Sequence, residues 1–438
     1  MKLKLIDYFR MHLSELIGNS SRLFLSELFS QIIAFLQVIM IVRFLGAASY
    51  GLFALVIVYV TVVNQLIDFR IKEAVVKYLS EFLIKKDRSR FWASLKLCYL
   101  LDFITGVVAF LIAFFTAGLV ATFIIHDTQA ICLIQLFAFM LLISTLDNSC
   151  SGVLIVFEKF TLISVYVIAS AGLRFIFVAA ILLSGFGIKG VLLGYIIAAL
   201  LSSTAVILFS LRTIKRAVWF PGIAGGMLLL KDRWREIAAF LININFNEAI
   251  TLVSKNIDVL ILGYFRAPAE VGFYRLAKNF TEMLSLLSNS VYTAIYPQFS
   301  RLWADKRKEE FKALIKRITI FMGGITLPLT IGLFLVIPWM IRIFVGEIFL
   351  PVASLVKIMV WGITVAVVSL WVRPVFLSMG RPGVLTIINM CNALILIIFS
   401  LIFVPRFGYF ASAIIYTYPY IAGHLSATFI AWRLLKRR

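Results

Sequence analysis

Apolar runs of about twenty residues recur along the whole of this 438-residue chain, and they leave few folds open. Runs of that length without alternation read as helices that cross a membrane; strands of a membrane barrel are about half as long and alternate in polarity. Composition closes the soluble route. With 62% hydrophobic residues, 14% charged and a mean hydropathy of +1.02, the chain carries more apolar surface than one or two soluble cores could cover. In hydrocarbon the backbone must satisfy its own hydrogen bonds, so the expected class is all-α integral membrane. Twelve spans are expected, near 23–42, 50–68, 94–118, 130–146, 162–184, 190–211, 237–263, 269–297, 317–344, 350–372, 384–404 and 409–432.

The net charge of +21 does not point to nucleic acid, because there is no soluble domain to carry a basic face. The positive charges gather between the apolar runs instead. With the N-terminus inside, 31 of the 42 Lys and Arg fall in cytoplasmic segments, among them Arg70–Arg90, Arg212–Arg235 and Arg301–Arg317. Only five (Arg43, Lys189, Arg266, Arg342 and Arg406) fall in outer loops or at outer helix ends. That asymmetry places both termini in the cytoplasm. Cys98, Cys132, Cys150 and Cys391 lie in or beside apolar runs without metal or disulfide spacing and read as small packing residues. The first long apolar run reads as a span rather than a cleaved signal.

The chain also repeats itself. Tyr50-Gly51-Leu52-Phe53 after the first span corresponds to Val271-Gly272-Phe273-Tyr274 after the seventh, with Gly51 and Gly272 221 positions apart. Phe157-Glu158-Lys159 corresponds to Met379-Gly380-Arg381 at a shift of 222, and Phe186-Gly187 and Tyr195 to Phe407-Gly408 and Tyr416 at 221. Each match is weak alone, but their common register is close to half the chain. The expected organisation is an N-terminal lobe, 1–222, and a C-terminal lobe, 223–438, of six helices each. The lobes are related by a pseudo-twofold axis along the membrane normal and are joined near Pro221-Gly222 to Gly225-Gly226.

Six basic residues escape the loops and fall within spans: Lys96, Arg174, Lys255, Arg275, Lys278 and Lys357. An ionised side chain at the bilayer centre costs roughly 2.5–3.5 kcal/mol on the insertion scale, so each needs a partner or a wet cavity. Lys96 is near enough to an end to snorkel. Lys255 with Asp258, and Lys278 with Glu282, have the spacing of local helical pairs; Arg174 and Lys357 have no acid within helical reach. Facing inward, Arg174, Lys255, Arg275, Lys278 and Lys357 would make a cavity selective for anions. Glu248, Asp258 and Glu282 would be the groups that couple transport to a cation or proton.

These residues resemble a known family. Arg43-Phe44-Leu45-Gly46 followed by Tyr50-Gly51 is similar to the signature after the first helix of polysaccharide and O-antigen flippases, within the multidrug/oligosaccharidyl-lipid/polysaccharide exporter superfamily. Lys255-Asn256-Ile257-Asp258, Leu262-Gly263 and Tyr296-Pro297-Gln298-Phe299 resemble motifs of its second half. The Pro often present in the first turn is replaced here by Ala47-Ala48-Ser49. The resemblance implies movement of an undecaprenyl-diphosphate-linked oligosaccharide from the cytoplasmic to the outer leaflet, by rocking of two lobes. It implies no cofactor, and as partners the lipid-linked glycan, membrane lipids, and a polymerase or other glycan-assembly proteins. A diphosphate is anionic, which suits intramembrane cations.

Two rivals stay open. A drug/cation antiporter of the same superfamily would favour an acidic cavity, and here acids and cations within the spans are comparable in number. A glycan polymerase or ligase would need a substantial outer loop, yet the longest, near 119–129, carries only His126 and Asp127 as titratable groups. HExxH, GxSxG and Walker motifs are missing, and His12, His126 and His424 are too scattered for a metal site.

Overall fold

A computed structural model describes the backbone of residues 2–68, 71–217 and 226–437. Side chains are described from Ser21 onward, apart from those of 69–70, 217–225, 243–244, 246–254, 287, 289–290, 293–294 and 437–438. The expected joint at Pro221-Gly222 therefore lies outside the described residues, as does the side chain of Glu248. Among the described residues every regular element is a helix. In chain order these are α1 (Lys2–Ile67), α2 (Ile71–Ile84), α3 (Arg88–Val120), α4 (Gln129–Ile143) and α5 (Asp147–Val156). They continue with α6 (Phe160–Leu183), α7 (Gly187–Ala217), α8 (Trp234–Phe265), α9 (Pro268–Glu282) and α10 (Leu286–Ala304). The last are α11 (Lys308–Phe344), α12 (Leu350–Val368), α13 (Val372–Ser378), α14 (Pro382–Tyr418) and α15 (His424–Arg437).

Eight stretches among the described residues are long and apolar enough to cross a membrane. The first and last, Ser21–Ile84 and Pro382–Lys436, are 64 and 55 residues long, well beyond one bilayer thickness. Both are broken where the backbone leaves the helical region. In α1 the break is Gly46 (φ 76, ψ 174), and in α14 it is Gly408 (φ 57, ψ −139). Only glycine reaches these angles without a Cβ penalty. A π-helical turn, Pro419–Gly423, then separates α14 from α15. Large apolar side chains such as Phe115, Leu183 and Trp339 remain exposed, as lipid-facing residues must.

Backbone conformation repeats along the chain in the register found in the sequence. Lys86 and Lys306 are both left-handed and lie 220 positions apart, as are His126 and Gly346. Glu158 and Gly380 share positive φ at a separation of 222, and Gly187 and Gly408 at 221. A non-glycine residue in this region is uncommon. Four coincidences at spacings of 220 to 222 indicate that corresponding points of the two halves call for positive φ.

Two compact units form. One comprises Met1–Gln37, Val60–Gly118 and Ile131–Glu248; the other comprises Val38–Tyr59, Leu119–Ala130 and Ala249–Arg438. In the first, α2 is an amphipathic helix where the sequence suggested only a basic loop. Its Ile71, Val75, Tyr78, Leu79 and Phe82 recur at helical spacing on one face. That face packs with Phe91 and Leu97 of α3 and with Leu230, Ile237 and Leu241, the segment that opens the second half of the sequence. An ionic layer covers this core. Arg233 Nη1 meets Glu81 Oε1 at 2.7 Å and its Nη2 meets Glu236 Oε2 at 2.8 Å; Lys77 and Arg90 bind Glu236 and Asp232 at 3.2 and 3.1 Å.

Candidate functional site

In the second unit, α8 and α9 form a hairpin whose turn is set by Pro268 at the start of α9, where its missing N–H costs nothing. The hairpin brings Asp258 of α8 against Lys278 of α9. Their charged atoms lie 2.8 Å apart, with side chains 2% and 1% exposed. Tyr274 donates its hydroxyl to the same Asp258 oxygen at 2.5 Å, and the Lys278 ammonium also donates to the Lys255 carbonyl at 2.5 Å. The third side of the ammonium faces the ring of Tyr416 in α14, at 5.0 Å from its centroid. All three N–H bonds of Lys278 are thus engaged.

This corrects the expected pairing. Lys278 bonds across the hairpin to Asp258, not along its own helix to Glu282, and the Lys255 side chain is exposed rather than paired with Asp258. The interhelical pair wins because it shields both charges from lipid at once, whereas a pair along one helix leaves one side open. Glu282 instead lies near the Tyr416 hydroxyl, which donates to it at 3.5 Å, and the ring of Tyr420, on the π-helical turn, packs tilted against Tyr416 at 5.1 Å. Lys278, Asp258 and Glu282 therefore share one polar cluster with three tyrosines. Arg275 is half-buried without an ion pair among the described residues, and Lys357 sits over the Phe334 ring at 4.9 Å.

In the first unit, Arg174 of α6 lies over the ring of Tyr195 of α7 at 5.5 Å, and its buried Nε has no hydrogen-bond partner among the described residues. Tyr195 and Tyr416, matched in sequence only as repeat markers, thus each hold an intramembrane cation over the ring. The attraction of a cation for the negative ring face is worth more when both are desolvated.

A second polar cluster in this unit was not found from sequence. It is built by three consecutive residues where α4 breaks into α5. Asp147 Oδ2 accepts from the Tyr166 hydroxyl at 3.1 Å and the Ser203 hydroxyl at 2.9 Å. Asn148 donates to Asp68 at 2.9 Å, and the Ser149 N–H donates to Asp102 at 3.0 Å. Asp147 also lies in the first turn of α5, where the helix dipole favours a negative charge. The available signal was the polar run Asp147-Asn148-Ser149 at the end of an apolar stretch.

Where the equivalent glycines of the two halves lie, the second unit closes on itself. A Cβ at Gly51 would overlap the Pro268 carbonyl and stand 2.9 Å from the Gly272 nitrogen; one at Gly272 would overlap the Ala47 carbonyl and stand 3.2 Å from the Gly51 nitrogen. The two glycines face each other, and their missing side chains let the backbones touch. Asn279 donates to the Tyr50 hydroxyl at 3.0 Å beside this crossing.

Residues 16–303, about two thirds of the chain, match the polysaccharide biosynthesis protein family. The chain belongs to that family. The resemblance seen at Arg43–Gly51 and Lys255–Tyr274 is borne out. Residues 244–402 also match the MatE family. An uncharacterised membrane protein of Methanocaldococcus jannaschii is 21% identical over 89% of this chain and 78% of its own. The teichuronic acid biosynthesis protein of Bacillus subtilis is 24% identical over 60% of this chain and about half of its own (52%). Among solved structures, an inward-facing multidrug resistance transporter of the MATE family and MOP superfamily superposes with a TM-score of 0.77. It is 14% identical over 93% of this chain and 96% of that one. The lipid II flippase MurJ superposes at 0.71, with 14% identity over 93% and 87%. The chain therefore has the two-lobe helical fold of MOP superfamily transporters.

Proposed function

We propose that this chain is a flippase that moves an undecaprenyl-diphosphate-linked oligosaccharide, such as a polysaccharide or O-antigen repeat unit, to the outer leaflet. Its lobes, 1–222 and 223–438, alternate in access, coupled to an ion gradient, in a cytoplasmic membrane with both termini inside. The observation that carries the reading is the polysaccharide biosynthesis family match over residues 16–303. The charge inventory supports it. Arg174 keeps an unpartnered buried Nε, and Arg275 and Lys357 have no carboxylate partner among the described residues. Such cations suit a diphosphate that must cross hydrocarbon. Lys278, already neutralised by Asp258, contributes to an anion site only if that pair opens, so Asp258, with Glu282 and Glu248, is the group through which a proton or cation would act.

Deletion of the gene is expected to leave lipid-linked glycan on the cytoplasmic leaflet, restored by the wild-type chain and not by Arg174→Ala with Lys357→Ala. Normal export by membrane-inserted forms of both variants would overturn the anion site. The MatE match over 244–402 favours a second reading, a drug or cation antiporter. Efflux of a fluorescent organic cation by the purified chain, with no effect of deletion on glycan, would select it.

A further inference from the structure

At the end of the second unit expected to face outward, the turn that closes α3 and the α8–α9 turn enclose an open pocket of about 470 Å³. The size lies within the range of small-molecule sites. Its walls are fixed from both sides. His126 is held in the left-handed conformation (φ 57) with its N–H on the Ala121 carbonyl, and Asp127 N–H bonds to the same carbonyl at 3.0 Å. Across the pocket, Arg266 donates from Nε and Nη2 to the Val404 and Pro405 carbonyls at 3.3 and 2.9 Å, and its Nη1 approaches Glu270 at 4.0 Å.

Between them stands Tyr264. Its ring is met edge-on by Phe265, at 4.7 Å and 85°, and at a tilt by the His126 ring, at 5.7 Å, yet the residue is 48% exposed. The pocket therefore offers a rigid, open aromatic face with a rim of three different polar groups. Asp127 spends one oxygen on the Gln129 N–H at 2.8 Å and has the other for a ligand. A lipid tail would leave this rim unsatisfied, and a bare inorganic anion, with no apolar face, would gain nothing from the ring. A pyranose uses both kinds of surface: an apolar C–H face lies on an aromatic ring while its hydroxyls, spread around the edge, both donate and accept.

We propose that this pocket is an outer subsite for one pyranose ring, neutral or acidic, of the transported glycan. It rests on the flippase reading. Pro268, which lines the pocket, also supplies the carbonyl that Gly51 abuts, so parting of the Gly51–Gly272 crossing would reshape the pocket. Sugar captured there would be held while the outer face is shut and let go as it opens.

The test uses the full chain in lipid nanodiscs and saturation-transfer NMR with methyl glucopyranoside, glucuronic acid and inorganic phosphate as separate probes. Saturation is expected on the pyranose ring protons. Tyr264→Ala should weaken binding roughly two- to tenfold, the span expected for one aromatic contact, while Tyr264→Phe should retain it. Equal sugar signals in wild type and Tyr264→Ala, or binding of phosphate alone, would overturn the proposal. If Tyr264→Ala does not fold, the pair His126→Ala and Asp127→Asn serves instead, with the same loss expected and an unchanged signal refuting. Failure of the two readings is separable. Sugar binding that depends on Tyr264, in a protein whose deletion leaves no glycan lipid on the cytoplasmic leaflet, would refute the flippase and leave the subsite standing.

Discussion

Replacing Lys278 with methionine would leave Asp258 as a buried carboxylate, 2% exposed, with the Tyr274 hydroxyl and the Val259 N–H as its remaining partners. Breaking a buried pair by removing one member costs about 3–5 kcal/mol, chiefly because the survivor is charged and desolvated. The short bond from Tyr274 persists, and a hydrogen bond to a charged group is worth about 1.5–3 kcal/mol, so the lower end applies, about 3 kcal/mol. Asp258→Leu should cost a similar amount by stranding the ammonium on the Lys255 carbonyl and the Tyr416 ring. The double variant removes both charges and should lie within about 1 kcal/mol of wild type, because an apolar pair of similar volume needs no desolvation. Unfolding in mixed detergent micelles, followed by tryptophan fluorescence, measures all four corners of this cycle. A Lys278→Met variant as stable as wild type would refute the reasoning, and so would a double variant whose loss equals the sum of the two singles. Export by the same four proteins separates structure from mechanism. A double variant that is stable but fails to export would support a coupling role for Asp258, and one that exports normally would leave the pair purely structural.

Gly51→Ala and Gly272→Ala place a Cβ against main-chain atoms that cannot rotate away, so each should cost about 1–3 kcal/mol or more in the packed state and favour separation of this crossing. Greater labelling of a single cysteine at Ala47 by a membrane-impermeant maleimide would report it, and unchanged labelling would count against a closed crossing. Hydrogen bonds from Arg233 hold Glu236 below the ordinary glutamate value of about 4.3. Because that folded value is depressed, the stabilisation of the 227–241 segment is present above about pH 4.3 and is lost as pH falls through the folded value. Hydrogen exchange over 227–241 should accelerate there, and Arg233→Met should weaken the pH dependence to the part that Lys77 supports. Asp147→Ala removes the acceptor shared by Tyr166 and Ser203, stranding two hydroxyls at a cost of about 2–3 kcal/mol, measurable as a lowered unfolding midpoint. Asp147→Asn should recover part of that loss.

The sequence by itself determined the solvent, the class of fold and the repeat. Hydrocarbon rejects unpaired backbone, and apolar runs of bilayer length must therefore be helices; that inference needs no coordinates. The 221–222 register was also legible, because turns demand particular residues: Gly187 and Gly408 stand where both halves need positive φ. The resemblance at Arg43–Gly51 and Lys255–Tyr274 led to the right family, and two of its residues, Gly51 and Gly272, form the crossing where backbones touch.

Which charges meet was decided only by tertiary structure. Spacing along one helix suggested Lys278 with Glu282, but a charge in a membrane protein seeks the partner that best excludes lipid, and that partner lay across a hairpin at Asp258. Asp147, Asn148 and Ser149 gave little sign in sequence of reaching three other helices and the residue that follows α1, because their partners are between 19 and 80 positions away. The amphipathic α2 was hidden for a related reason. Its basic residues looked like a loop, and its apolar face acquired meaning only once Leu230, Ile237 and Leu241 were found packed against it. Local chemistry sets where helices begin, bend and end, while long-range packing chooses the partners of the few polar groups that lipid does not tolerate alone.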